Sequence, residues 1–136
     1  MADLGDSIRG DVRTTLERLL RKRLYVLMLR PIRPLDEDLA EQTAALLPAH
    51  FEWLFEQERQ GRIFAAGPFL GEDEQSYTGE GMFIVRAGSL EEARELARGE
   101  PIIAHGLRTA EVRPWELNEG AISVRLSYSD GSFSID

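Results

Sequence analysis

The chain contains no cysteine, which removes disulfides, thiolate nucleophiles and cysteine-ligated zinc or iron–sulfur centres from consideration. It also lacks any apolar run approaching the ~20 residues needed to cross a bilayer, and its N-terminal segment holds no uninterrupted hydrophobic stretch of the secretory kind. A cytoplasmic protein without a membrane partner is expected. Positive charge is scarce, with 16 basic against 24 acidic residues and a formal net charge of −8, so the surface repels phosphate backbones and no nucleic-acid partner is expected. The one basic cluster, Arg18, Arg21, Lys22 and Arg23, has no interleaved aromatics and reads as helix C-terminal charge complementing the dipole. Histidine is limited to His50 and His105, with no His-x₃-His spacing, and neither a metal nor a cofactor is expected. The glycine-rich segments lack the strand-to-helix setting that cradles phosphates.

What remains is an ordinary globular composition, 43% hydrophobic and 29% charged over 136 residues, enough for one core without staples. Ile8, Val12, Leu16, Leu19 and Leu20 recur at helical spacing between Asp6 and Arg23, predicting an N-terminal amphipathic helix over 1–22. Arg23 to Leu29 reads as a buried strand stopped by Arg30-Pro31 and Arg33-Pro34. Asp36 caps a helix through Leu47, and Pro48 kinks it or restarts it, with Phe51, Leu54 and Phe55 continuing to Gln60 and Gly61 as the stop. Arg62–Leu70 and Gly79–Ala87 are a second and third strand joined by a polar hairpin loop. Ser89 and Glu92 form a capping box for a short helix ended by Gly99. Leu107–Trp115 is the fourth strand.

Strand, helix, strand, strand, helix, strand is the split βαβ pattern of an α+β ferredoxin-like sheet with helices on one face. The other face is left uncovered, and burying it by homodimerisation through the sheet faces is the simplest solution. The core domain is placed at 23–118. Alternation of Ile122, Val124, Leu126 and Tyr128, with a turn at Asp130-Gly131 before Phe133 and Ile135, predicts a C-terminal β-hairpin extension of that domain over 119–136.

Several stretches, in order and spacing, resemble the YciI-like (YCII-related) family of the dimeric α/β-barrel, ferredoxin-like superfamily. They are Tyr25-Val26-Leu27-Met28, His50-Phe51-Glu52-Trp53-Leu54, Gly61-Arg62-Ile63-Phe64-Ala65-Ala66-Gly67-Pro68, Gly99-Glu100-Pro101 and the run Val112 to Gly120. The resemblance implies a subunit that dimerises through its sheets and a site holding the helix histidine and an acid–proline pair, here His50 and Glu100-Pro101. It also implies proton-transfer work on a small cyclic or aromatic compound. Two positions depart from the family: glutamate stands where aspartate is common, and Ile103 stands where many longer members place a second histidine.

His50 is the candidate general base, because imidazole titrates near neutrality, and Glu100 is the candidate partner that would fix its tautomer. The alternative for His50 is a helix histidine packed at an interface; for Glu100, a solvated turn residue before Pro101. Candidate substrate-binding residues are His105, Pro101, Trp53, Arg30, Gly67 and Pro68, the last two as a strand bulge that opens room for a ligand. Trp53, Phe64, Phe69 and Phe83 would line a pocket or pack in the core, and Arg30 or Arg113 would supply anion stabilisation. The function expected is a cofactor-free lyase, isomerase or hydrolase acting on a small organic molecule. The alternative is a noncatalytic small-molecule-binding or interaction module.

Overall fold

A computed structural model describes residues 12–136. Its elements are α1 (Val12–Arg18), β1 (Lys22–Pro31), α2 (Glu37–Arg59), β2 (Ile63–Leu70), β3 (Tyr77–Val85), α3 (Leu90–Arg98), α4 (Pro101–Ala104), β4 (Arg108–Leu117), β5 (Val124–Leu126) and β6 (Phe133–Ile135). They divide into two compact units, Arg23–Glu116 and the terminal segments on either side of it.

In the Arg23–Glu116 unit the strands lie in the order β2-β3-β1-β4. The β1–β3 and β2–β3 pairs are antiparallel, and the whole is the ferredoxin-like arrangement the element order predicts. Register follows the hydrophobic alternation. Leu27 faces Phe83 and Tyr25 faces Val85 across the β1–β3 pair, and these side chains are buried together with Leu29, Ala93 and Ala97. Trp53, Leu54, Leu90 and Leu96 pack against them, which places α2 and α3 on this face. Val26, Met28, Met82 and Ile84, out of phase by one residue, are half-buried on the opposite face.

The caps written in the sequence form. Asp36 Oδ1 accepts from Leu39 N at 2.7 Å and Ser89 Oγ from Glu92 N at 3.1 Å, each satisfying a donor the first turn would otherwise leave open. Pro48 neither stops nor restarts α2, which runs unbroken for 23 residues. The proline only withdraws the N–H that the Ala44 carbonyl would have accepted. Gly67 and Pro68 stay in register opposite Met82 and Gly81; the irregularities fall between Ile63 and Ala65 and between Pro68 and Leu70. Pro68 is tolerated because β2 is an edge strand, where a missing N–H breaks no ladder. Gly79, at φ +84, lets β3 approach the end of β1, for a Cβ there would stand 2.8 Å from Pro31 Cγ.

The helix foreseen from Asp6 to Arg23 is seen as α1, ending at Arg18; its stretch before residue 12 lies outside the described residues. Arg21, at φ 54, takes a left-handed conformation that no helix continues. In the terminal unit Leu20 N and Arg21 N both donate to Asn118, to its carbonyl and its Oδ1. The foreseen hairpin is β5 paired with β6, Val124 opposite Ile135 and Leu126 opposite Phe133, with these apolar side chains exposed. Among the described residues no helix is long and apolar enough to cross a membrane.

Candidate active site

The loop between α3 and β4 carries the acid. Glu100 precedes Pro101, and proline both restricts the residue before it to extended backbone and fits the first helical position. Glu100 accordingly sits at φ −69, ψ 126 as the N-cap of α4, a four-residue helix that the sequence reading passed over. Its Oε2 accepts from Ile103 N at 2.9 Å. The same carboxylate is fully buried and reaches α2, where Oε1 lies 2.7 Å from His50 Nδ1.

A third residue completes the cluster. Arg108, at the start of β4, donates from Nε to Glu100 Oε2 at 3.3 Å, and its Nη2 stands at ion-pair distance from Oε1, 3.2 Å away. The contact joins a full positive and a full negative charge, which strengthens the hydrogen bond between them. Both oxygens are thus satisfied, by His50, Arg108 and the Ile103 N–H. Burial pushes the Glu100 carboxyl up, the largest single effect, but the His50 hydrogen bond, the Arg108 charge and the Ile103 N–H together outweigh it and hold the pKa below the usual value. Burial also lowers the Arg108 guanidinium, against the pull of Glu100.

An ionised Glu100 fixes the histidine tautomer. A carboxylate only accepts, so the 2.7 Å contact requires a proton on Nδ1. Nδ1 is then a donor facing Arg108 Nη2 at 3.4 Å, a neighbour rather than a partner. Neutral His50 therefore carries its lone pair on Nε2. Phe83 is the platform for both groups: His50 stacks on it at 6.1 Å between ring centroids, and Arg108 Cζ lies 5.8 Å from its centroid.

His50 and Arg108 open onto a cavity of about 660 Å³, within the usual range for small-molecule sites. A helical stripe of α2 (Ala40, Ala44, Leu47, Phe51, Leu54) forms one wall, at the i, i+4, i+7 spacing of one face. Leu29, Ala66, Gly67, Pro68, Gly81 and Phe83 bring the sheet up opposite. Among the described residues no buried side-chain nitrogen or oxygen lacks a partner, yet His50 Nε2 and Arg108 Nη1 make no hydrogen bond there. Both atoms are therefore open to solvent, and both residues line the cavity.

Of the residues singled out from sequence, His50 and Glu100 are in contact, and Gly67 and Pro68 line the cavity. His105 does not: it is exposed, and its Nδ1 donates to the Pro101 carbonyl at 2.8 Å. Pro101 acts through the backbone of Glu100, while Trp53 packs against Phe83 in the core. Arg30 and Arg113 are exposed and are not among the residues that line the cavity, and the cation beside the pair is Arg108. Among the aromatics, Phe83 lines the cavity while Trp53, Phe64 and Phe69 do not. Arg108 had one readable signal, a charge in phase with the inward-facing Ala110 and Val112 of β4. Among the described residues no group of three His, Cys, Asp or Glu side chains is arranged to hold a metal ion.

Comparisons with known proteins agree with this architecture. A curated relative, the uncharacterised protein YjpA of Bacillus subtilis, is 31% identical over 70 residues, covering 52% of this chain and 75% of its own. Among solved structures, the 5-chloro-2-hydroxyhydroquinone dehydrochlorinase TftG of Burkholderia phenoliruptrix, in complex with 2,5-dihydroxybenzoquinone, superposes with a TM-score of 0.51 at 23% identity. That match covers 68% of this chain and 92% of TftG and establishes the shared fold. The model of the YCII-related domain matches residues 24–116, more than half of the sequence, and the chain belongs to that family.

Proposed function

We propose that the protein is a cofactor-free acid–base enzyme, a lyase, isomerase or hydrolase acting on a small organic molecule in the α2–sheet cavity. His50 is the general base or proton relay and Glu100 the residue that orients it. One observation carries the reading. A histidine held at Nδ1 by a buried carboxylate 2.7 Å away lines a largely apolar cavity with its other nitrogen unpartnered and open to solvent. That is the arrangement general-base catalysis requires: a fixed tautomer, a compensating charge behind it and an open lone pair in front. The fold shared with a dehydrochlorinase bound to a dihydroxybenzoquinone supports a cyclic organic ligand of similar size.

A thermal-shift screen against a library of small ring compounds tests the reading. Ligands that raise the Tm of the wild type should lose most of that effect with His50→Ala. A library in which every stabilising compound acts equally on both proteins would remove His50 from the site.

The unit that acts, in this proposal, is a cytoplasmic homodimer joined through the sheet faces. Val26, Met28, Met82 and Ile84 form an apolar patch on the face away from α2 and α3, and Trp115, out of phase with the inward residues of β4, extends it. Sedimentation velocity should give a dimer for the wild type and a monomer for Ile84→Arg. A wild-type monomer at tens of micromolar would contradict it.

A further inference from the structure

The geometry points to Arg108 Nη1 as the donor that receives an oxygen anion formed during the reaction, and hence to a compact, apolar carbon acid, with a C–H beside a carbonyl, as the substrate class. This rests on the reading of His50 as the base and deepens it.

The argument begins with the occupancy of the guanidinium. Its Nε donates to Glu100 at 3.3 Å and its Nη2 faces the same carboxylate at 3.2 Å and His50 Nδ1 at 3.4 Å, which leaves Nη1 with no partner among the described residues. Arg108 is a lining residue of the cavity, and among the described residues no partnerless side-chain nitrogen of a residue that is not itself exposed is sealed from solvent. Nη1 and His50 Nε2 are thus the unpartnered, solvent-open nitrogens of two residues that line the same cavity. Nε2 takes a proton, while Nη1 offers positive charge and gives hydrogen bonds.

Charge accounting selects the ligand. With His50 in the form that can accept a proton, the cluster pairs Glu100⁻ with Arg108⁺, so Arg108 is already compensated. The remaining wall is built mainly from leucine, alanine, phenylalanine, proline and glycine, and its one further charged residue, Glu80, is an exposed carboxylate that would repel an arriving anion. A ligand arriving with several charges would lose its hydration against that wall without compensation. A neutral ligand enters freely, and an anion formed inside is matched at once by the imidazolium that forms with it.

The step balances on these atoms alone. The Nε2 lone pair takes the proton from the carbon beside the carbonyl, and the C–H electron pair becomes the new C=C bond. The C=O π pair moves to oxygen, and that oxyanion accepts from Nη1. The imidazolium then returns the proton to the same or a conjugated carbon. Preorganised donors of this kind act where water is excluded and need no reorganisation as charge develops.

The probe is 4-nitrophenol, a compact ring with a single ionisable oxygen whose phenolate absorbs in the visible. Wild-type protein should bind the phenolate in preference to the phenol by about tenfold or more, the scale of a charge-assisted hydrogen bond. Arg108→Gln should abolish that preference and His50→Gln should retain it. Arg108→Lys keeps a cation for Glu100 if the glutamine variant does not fold, and it should bind the phenolate more weakly than the wild type, since it lacks the second arm of the fork. Absent saturable binding, equal preference in Arg108→Gln, or undiminished binding in Arg108→Lys would each overturn the assignment. A preference lost in His50→Gln but kept in Arg108→Gln would overturn it while leaving His50 as the base; failure of that role is read separately by proton exchange.

Discussion

Replacing Glu100 by alanine should lower the stability of the protein by roughly 3–5 kcal/mol, the cost of leaving one member of a buried ion pair without its partner. For a chain of this size the fall in Tm is on the order of 10–20 °C. Three losses coincide at this carboxylate. Arg108 keeps a guanidinium in a largely buried position with no counter-charge, His50 loses the acceptor for its Nδ1 proton, and Ile103 N loses its cap. A double variant that removes both charges, Glu100→Leu with Arg108→Met, should be more stable than Glu100→Ala. The Coulomb attraction and the desolvation of a buried pair largely offset each other, and the uncompensated single charge is the costly state. Chemical denaturation of the three proteins checks the order.

The same carboxylate gives the stability a defined pH dependence. Its folded pKa lies below the ordinary 4.5, so between the two values the unfolded chain binds more protons than the folded one. The contribution of Glu100 is then complete above about pH 4.5 and declines as pH falls through the lower folded value. Glu100→Gln should flatten the acid limb of the stability profile. An identical limb in wild type and variant would mean that Glu100 is not held ionised by its neighbours.

How much of this was legible in the sequence depended on how local each cause was. The caps at Asp36 and Ser89 were readable because donor and acceptor are three residues apart. The strand faces were readable because alternation along β1 and β3 is a one-dimensional signal. Helix α4 was not, since Ile102 and Ile103 are β-branched and resemble the start of a strand, and a four-residue helix leaves no period to detect. Pro48 looked like a boundary, yet a helix with enough packing on both sides tolerates the loss of one hydrogen bond.

The site divides in the same way. His50 and Glu100 were marked by residue type and by the family's spacing. Their contact spans fifty positions and becomes visible only when α2 and the α3–β4 loop are placed side by side. Arg108 contacts a residue eight positions before it and lies beside another 58 positions before it, so no local pattern announces it. Exposed arginines such as Arg30 look the same in a sequence as one whose fork is closed on a buried carboxylate. The second histidine was misleading for the opposite reason: His105 is near Glu100 in sequence, but its imidazole turns back onto the Pro101 carbonyl.

The second large effect concerns His50 itself. His50→Gln leaves a polar side chain of similar reach to contact Glu100 but removes the imidazole lone pair proposed to take and give the proton. General acid–base help of this kind amounts to ~10²–10⁴ in rate. Because Phe83 and Glu100 remain in place, the fold and the cavity should survive, so the loss should fall on turnover rather than on binding.

Solvent exchange measures that loss at the bond concerned. Ring ketones that raise the wild-type Tm are incubated with protein in D₂O, and deuterium entering the carbon beside the carbonyl is followed by NMR. The wild type should accelerate exchange over buffer, and His50→Gln should fall short of it by ~10²–10⁴ while still binding the ketone. Exchange as fast in His50→Gln as in the wild type, or no acceleration by the wild type of any ketone it binds, would contradict the assignment of His50 as the base.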